Sequence, residues 1–357
     1  GKDSAASAVG MLNPRGEYHC FLNVVVQALW HVPPFRDALL ECAGDGALLV
    51  ALRSIFADLS ASDAAPNGAG GRPRATSAEA LRVALSSTDA GAQFRLGDMA
   101  DAAEAFEVLL LQLKAARAGH ATSIFEMTSV DQPLSLPAGA PPPTPYTHFV
   151  YYASVASLRD ANARAPGASF SDALGAVRGE SARAIAGPVP EVFTLGLAWD
   201  TSRPSKESLA GLLDLVDEQI DLATCLRAPE LRAPPDAPMG ASLIGLVCFY
   251  SSHYCAIVRD VAHGGWLLFD DAAVSVVGDT WLDVRFKCHS CKYQPLLLLY
   301  RRTAPAAPAA ELGASAAASL GGDSWANMAT RCASKGGIAE APRAPTAAAA
   351  ATKAAAT

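Results

Sequence analysis

A chain of 357 residues, 51% hydrophobic and only 18% charged, is long enough to bury a sizeable core and is composed to do so. Its 28 basic and 35 acidic residues leave a formal charge of −7, which argues against a nucleic-acid or anionic-membrane partner, since both need a basic face. No apolar run approaches the length of a membrane span, and the opening GKDSAASAVGML lacks the apolar centre of a signal peptide. Eight cysteines in so long a chain fit a reducing, intracellular compartment (cytoplasmic or nuclear) better than a disulfide scaffold.

In chain order, residues 1–9 read as an N-terminal extension. The first helix is predicted from Leu22, Val25, Val26 and Leu29, spaced i, i+3, i+4, i+7, with Pro33–Pro34 stopping the run. Leu48, Leu49, Leu52, Ile55, Phe56 and Leu59 mark a second helix. Residues 60–77 read as a surface loop, and Thr76 with Glu79 resembles a capping box opening a third helix. A fourth spans 99–114, with Phe106, Leu109, Leu110 and Leu113 on one side. The Pro-rich LPAGAPPPTPY at 136–146 reads as a stiff connector. Beyond it the period changes: Phe193, Leu195, Leu197 and Trp199 alternate as in a strand, and an amphipathic helix follows near 207–220. The short apolar runs SLIGLVCFY, HYCAIVRDV, WLLFD and QPLLLLYRR then suggest an antiparallel sheet. Helices first and strands later is the α+β pattern. Residues 303–357, mostly Ala with Pro, Gly and Ser, are expected to be a disordered tail.

Chemistry enters at Cys20, where a polar, glycine-containing segment turns into an apolar helix. A helix N-terminus supplies partial positive charge that favours a thiolate; a small apolar residue packed at a helix start explains the same pattern. His253 opens a strand after a Ser-Ser turn, and Asp270 and Asp271 close the next strand. Alone, the histidine fits a structural role and the acids a turn. Together, Cys, His and Asp stand in the order that a papain-like triad requires, with the nucleophile on a helix and the base on a sheet.

The segment CFLNVVVQALWHVPPFRDALL resembles the cysteine box of the ubiquitin-specific proteases through Cys20, Phe21, Leu22, Asn23, Gln27 and Leu29. GLVCFYSSHYCAIVRD through WLLFDDAAV to YQPLLLLYRR resembles that family's histidine box through Gly245, His253, Tyr254, Trp266, Phe269, Asp270, Asp271, Val274 and Tyr300. Weaker likenesses are DAAEAFEVLL at 101–110 and PEVFTLGLAWD at 190–200. The resemblance implies a papain-like catalytic domain at 10–302 that cleaves after the C-terminal Gly-Gly of ubiquitin, with ubiquitin and ubiquitinated proteins as partners. It makes Cys20 the nucleophile, His253 the base, Asp270 the orienting acid and Asp271 a helper.

Two features depart from the family's pattern. The family's usual Asn five residues before the nucleophile is replaced by Arg15, with Asn13 standing seven before, and EYH replaces the usual Asn-Thr. This longer loop and the closing CHSCKYQPLLLLY resemble the divergent ubiquitin carboxyl-terminal hydrolase 53/54 branch. Asn13 is therefore expected either to loop back as the displaced oxyanion donor or to cap a turn before Pro14. The family's paired zinc cysteines are also missing between the two boxes; the single pair, Cys288 and Cys291, is half a site, so neither a metal nor a cofactor is expected. Two other classes remain: a ubiquitin-binding pseudoenzyme, and an acyltransferase of the arylamine or transglutaminase kind with the same Cys, His and Asp order.

Overall fold

The computed structural model describes residues 8–63, 75–131, 144–179, 183–185, 187–226, 239–260 and 264–303. The expected tail from 304 onward, residues 1–7 of the extension, and most of the 60–77 loop and the Pro-rich connector lie outside them.

The N-terminal lobe is helical. It contains β1 (Met11–Leu12), α1 (Cys20–Trp30), α2 (Pro33–Glu41), α3 (Ala47–Asp63), β2 (Thr76–Ser77), α4 (Glu79–Ser86), α5 (Ala102–Ala115) and α6 (Gly119–Thr122). Every residue of α1 is buried. A helix apolar nearly all round belongs inside a fold rather than on its surface, so the amphipathic spacing read from the sequence understates its enclosure. Pro33–Pro34 does end α1, yet the same prolines occupy the first turn of α2, where a missing N–H costs nothing. The predicted capping box does not form. Ala78 is the N-cap of α4, and Thr76 lies in β2, donating to Asp58 at 3.1 Å; the Glu79 N–H is taken by Ser77 instead. Thr76 is drawn into a parallel pairing with Met11, and that long-range pairing overrides the local capping signal.

The middle of the chain contributes β3 (Met127–Asp131), β4 (Tyr146–His148), β5 (Tyr151–Ser154), α7 (Val155–Arg164), α8 (Phe170–Gly179) and β6 (Arg183–Ile185). It continues through β7 (Val192–Ala198), α9 (Lys206–Leu215), β8 (Gln219–Asp221) and α10 (Leu222–Leu226). The C-terminal third holds β9 (Gly240–Tyr250), β10 (His253–Arg259), β11 (Trp266–Asp270), β12 (Ala273–Gly278), α11 (Trp281–Cys291) and β13 (Gln294–Arg302).

The main sheet runs β12-β11-β10-β9-β13-β7-β5, with β8 also on β9. It is antiparallel except for the parallel β5–β7 pair. One cluster of buried side chains joins one face of the sheet (Tyr254, Ala256, Val258) to α1 and the helical lobe. A second joins the other face (Cys255, Ile257, Leu298) to helices that include α9 and α11. Strand β7 is therefore buried at six of its seven positions, because both faces are covered. This is an α+β, papain-like fold in which the buried helix α1 packs on one face of a largely antiparallel sheet.

Candidate active site

Residues 10–19 run ahead of α1 as an irregular strap. Gly10 lies against the turn at Ala272, where a Cβ would meet backbone atoms at 2.6 Å, and only glycine allows the approach. The Met11 N–H then donates to the Asp271 carbonyl at 2.9 Å, tying the strap to the acidic turn. Gly16 takes φ +87°, and Tyr18, 46% exposed, is held at φ 52° in the left-handed region, which non-glycine residues enter at a cost of about 1–3 kcal/mol. His19 is fully buried, with Nε2 2.7 Å from Glu17 and Nδ1 without a hydrogen-bond partner.

Cys20 is the first residue of α1 and 1% exposed. The N–H groups of Leu22 and Asn23 bond to the His19 carbonyl, so the N–H groups of Cys20 and Phe21 lie ahead of the helical ladder and point out of the helix end. That is the partial positive charge a sulfur or an oxyanion finds at such a position.

The imidazole arrives from the sheet. Ser251 and Ser252, both at positive φ, make a two-residue hairpin, which pairs Tyr250 directly with His253. The β10–β11 register places Phe269 opposite Ala256, so Asp270 stands on the same face as His253 two positions along. His253 Nε2 lies 2.8 Å from Asp270 Oδ1 and 3.5 Å from Asp271 Oδ2, and Tyr250 donates to the other Asp270 oxygen at 2.8 Å. Burial by itself would lower the His253 pKa. The hydrogen bond to Asp270, the contact with Cys20 and the field of Asp271 outweigh it and hold the value at about 10. Asp270 is likewise opposed by its burial, but the hydrogen bonds from His253 and Tyr250 keep its carboxyl below the ordinary range. With Nε2 committed to the acid, Nδ1 is the nitrogen left for the thiol.

Asp271 does different work from Asp270. It occupies the turn at φ 51°, and its two oxygens accept from Asn13 Nδ2 at 2.7 Å and Asn23 Nδ2 at 2.9 Å. Asn13 Oδ1 accepts the His19 N–H at 2.7 Å, and Asn23 also reaches the Leu12 carbonyl at 3.1 Å. The Asn13 amide thus bridges the strap to the acidic turn one residue short of the sulfur, and one of its two N–H groups is committed there.

Cys20, His253, Asp270 and Asn13, named from the sequence, therefore meet at one place. Tyr250 and the anchoring role of Asn23 were missed. A signal for Tyr250 existed, since a two-residue Ser-Ser turn makes the residues flanking it cross-strand partners. The other cysteines lie elsewhere. Cys248 and Cys255 face each other across β9 and β10 beside Cys288; hydrogen bonds among the thiols, with burial, raise Cys248 and Cys288, and burial raises Cys255. Cys225 is pushed up to about 12 by burial. Cys288 is buried and Cys291 exposed, so the Cys-x-x-Cys pair on α11 does not converge on one point. Among the described residues, the group whose ligand atoms approach metal-site spacing is His253, Asp270 and Asp271.

A cleft of about 430 Å³ is lined in part by Phe249 and Tyr254, the chain neighbours of Tyr250 and His253. Asp101, which caps α5 through the N–H groups of Ala103 and Glu104, stands on its wall with Glu104, and aromatic Trp199, Phe249 and Tyr254 face it. The walls are acidic and aromatic, suited to an extended peptide with basic side chains.

A thiol at a helix start with an imidazole and a carboxylate from a sheet belongs to the papain-like class of folds. Residues 9–300 match the family model described as ubiquitin carboxyl-terminal hydrolase. The chain belongs to that family. It is 32% identical to human (Homo sapiens) ubiquitin carboxyl-terminal hydrolase 53 over 83% of its own length and 30% of that protein. It is 31% identical to ubiquitin carboxyl-terminal hydrolase 54 of Rattus norvegicus over 83% of its length and 20% of that protein. The chain thus spans less than a third of these relatives. No helix among the described residues is long and apolar enough to cross a membrane.

Proposed function

We propose that the chain is a thiol-dependent deubiquitinase that hydrolyses the bond after the C-terminal Gly of ubiquitin, with ubiquitin and ubiquitinated proteins as its partners. The observation that carries this reading is His253 held between Asp270 at 2.8 Å and the Cys20 thiol at a helix N-terminus. In this reading His253 takes the thiol proton, and the sulfur attacks the carbonyl carbon of the terminal glycine. The oxyanion forms against the Cys20 N–H and the remaining amide hydrogen of Asn13. As the tetrahedral species collapses, His253 passes its proton to the leaving amine and a thioester remains. Water, losing a proton to His253, then attacks the thioester and releases a carboxylate and the thiol. Asp270 orients the imidazole through Nε2, and Asp271 holds the strap. The acidic and aromatic cleft receives the extended tail.

One observation favours the second reading, a ubiquitin-binding protein without turnover. One amide N–H of Asn13 is committed to Asp271, and Arg15 stands where the family's usual donor would be. Hydrolysis of a fluorogenic ubiquitin C-terminal amide decides between them. Turnover that disappears in Cys20→Ala and His253→Ala supports the enzyme. Ubiquitin binding without turnover in the wild type supports the binder.

A further inference from the structure

Arg82 of α4 is fully buried, and it is neither a cleft residue nor part of the cysteine–histidine–aspartate group. A guanidinium carries five N–H donors in a rigid fork. Here it meets five backbone carbonyls. Nε donates to Phe94 at 2.9 Å; one terminal nitrogen donates to Glu17 and Tyr18, the second bond at 3.0 Å; the other donates to Arg95 and Asp98. The plane also lies 5.0 Å over the Phe21 ring, which stacks on Phe94. Burial opposes its charge, and the fields of Asp98, Cys20 and Glu17 sustain it.

Two details separate this from ordinary scaffolding. The two carbonyls belong to the turn just before Cys20, where Gly16 and Tyr18 on either side of Glu17 take left-handed backbone. The charge is also kept inside, touching the Tyr18 carbonyl and the Phe21 ring on either side of Cys20, where neutral donors would bond carbonyls at a smaller desolvation cost.

We propose that Arg82 is a positioning residue for the nucleophile: its five-donor fork clamps the carbonyls of Glu17 and Tyr18 to the 94–98 loop, fixing the approach to Cys20 and setting a buried cation between the residues that flank it. The proposal rests on Cys20 being the nucleophile. Lysine keeps the charge but has three donors and no fork, so it cannot span both loops. Methionine fills the space and supplies neither.

Alkylation of Cys20 by iodoacetamide, followed by peptide mass spectrometry at neutral and alkaline pH, reads the cation. Amide hydrogen exchange over residues 17–21 reads the clamp. Neither needs ubiquitin, so the result stands apart from whether the chain turns over a ubiquitin substrate. In Arg82→Met the ratio of neutral to alkaline alkylation is expected to fall about tenfold, with exchange at 17–21 faster by about tenfold or more than at α5. Arg82→Lys is expected to restore the ratio while leaving exchange fast. A wild-type ratio in folded Arg82→Met overturns the charge role. Wild-type exchange at 17–21 in Arg82→Lys overturns the clamp, and decides it also if the methionine variant does not fold.

Discussion

The two halves of the site are built by opposite means. His253 and Asp270 sit on neighbouring strands of an antiparallel ladder whose inner faces are buried, and a two-residue turn fixes the register of the His253 strand against β9. The strap that delivers Cys20 has almost no ladder. It is held by side chains that reach backbone: Asn13 to His19, Arg82 to Glu17 and Tyr18, and Gln27 to the Val9 carbonyl at 2.8 Å. A ladder distributes its hold over many bonds, each contributing about 0.5–1.5 kcal/mol net. The strap concentrates it in a few buried polar groups, each costly to leave unpaired. Substitutions on the sheet side should therefore alter chemistry within an unchanged frame, whereas substitutions around the strap should alter the frame itself.

The largest effects come from removing the reacting groups. Cys20→Ala or His253→Ala should reduce ubiquitin-amide hydrolysis by roughly 10⁴-fold or to background, with melting temperature nearly unchanged in Cys20→Ala and lowered in His253→Ala by loss of its pairing with Asp270. A substantial residual rate in either variant breaks the proposed chemistry.

Asp270→Asn comes next, at about 10²–10⁴ in kcat. Its pH signature separates it from Asp271. His253, raised from 6.5 to about 10, contributes stability that is present in full below 6.5 and is lost as pH rises toward 10. Asp270, lowered from 3.8, contributes stability that is present above 3.8 and lost as pH falls through its folded value. The melting difference between wild type and Asp270→Asn should be widest between those ordinary values and narrow in both directions. Asp271→Asn should instead loosen residues 10–19 in hydrogen exchange, since its oxygens accept from Asn13 and Asn23.

Asn13→Ala sharpens the comparison further. Losing the bonds of Asn13 to Asp271 and His19 entails some loss of melting temperature, and losing an oxyanion donor should cost a further factor of about 10²–10³ in kcat at temperatures where the variant is folded. A matched loss of melting temperature and activity would assign it to holding the strap alone. The smallest effect is Tyr250→Phe, which removes one hydrogen bond from Asp270 and should lower kcat about two- to tenfold. An unchanged rate would mean that His253 alone fixes Asp270.

The contrast also explains what the sequence made legible. Periodicity found α1, α3, α5 and the strands β7, β9, β10, β11 and β13, because apolar spacing reports directly on burial. It placed Cys20 at a helix start and His253 after a turn for the same reason. Side-chain-to-backbone contacts leave no such trace. Arg82 reads as an ordinary helical arginine sixty-two positions from Cys20, and nothing local marks its five carbonyl partners. Thr76 misled because its capping pattern is local while its β pairing is long-range. The Cys-x-x-Cys pair lies on α11, whose apolar and polar residues show no helical stripe, so the helix was not seen and the pair was read only as metal spacing.

The most direct test of the central claim is reaction with ubiquitin carrying a C-terminal electrophile, followed by mapping of the adduct. The proposal predicts a single adduct on Cys20, because Cys225, Cys248, Cys255 and Cys288 are buried with raised pKa values, and predicts none in Cys20→Ala. An adduct on another cysteine, or labelling that survives Cys20→Ala, would contradict it.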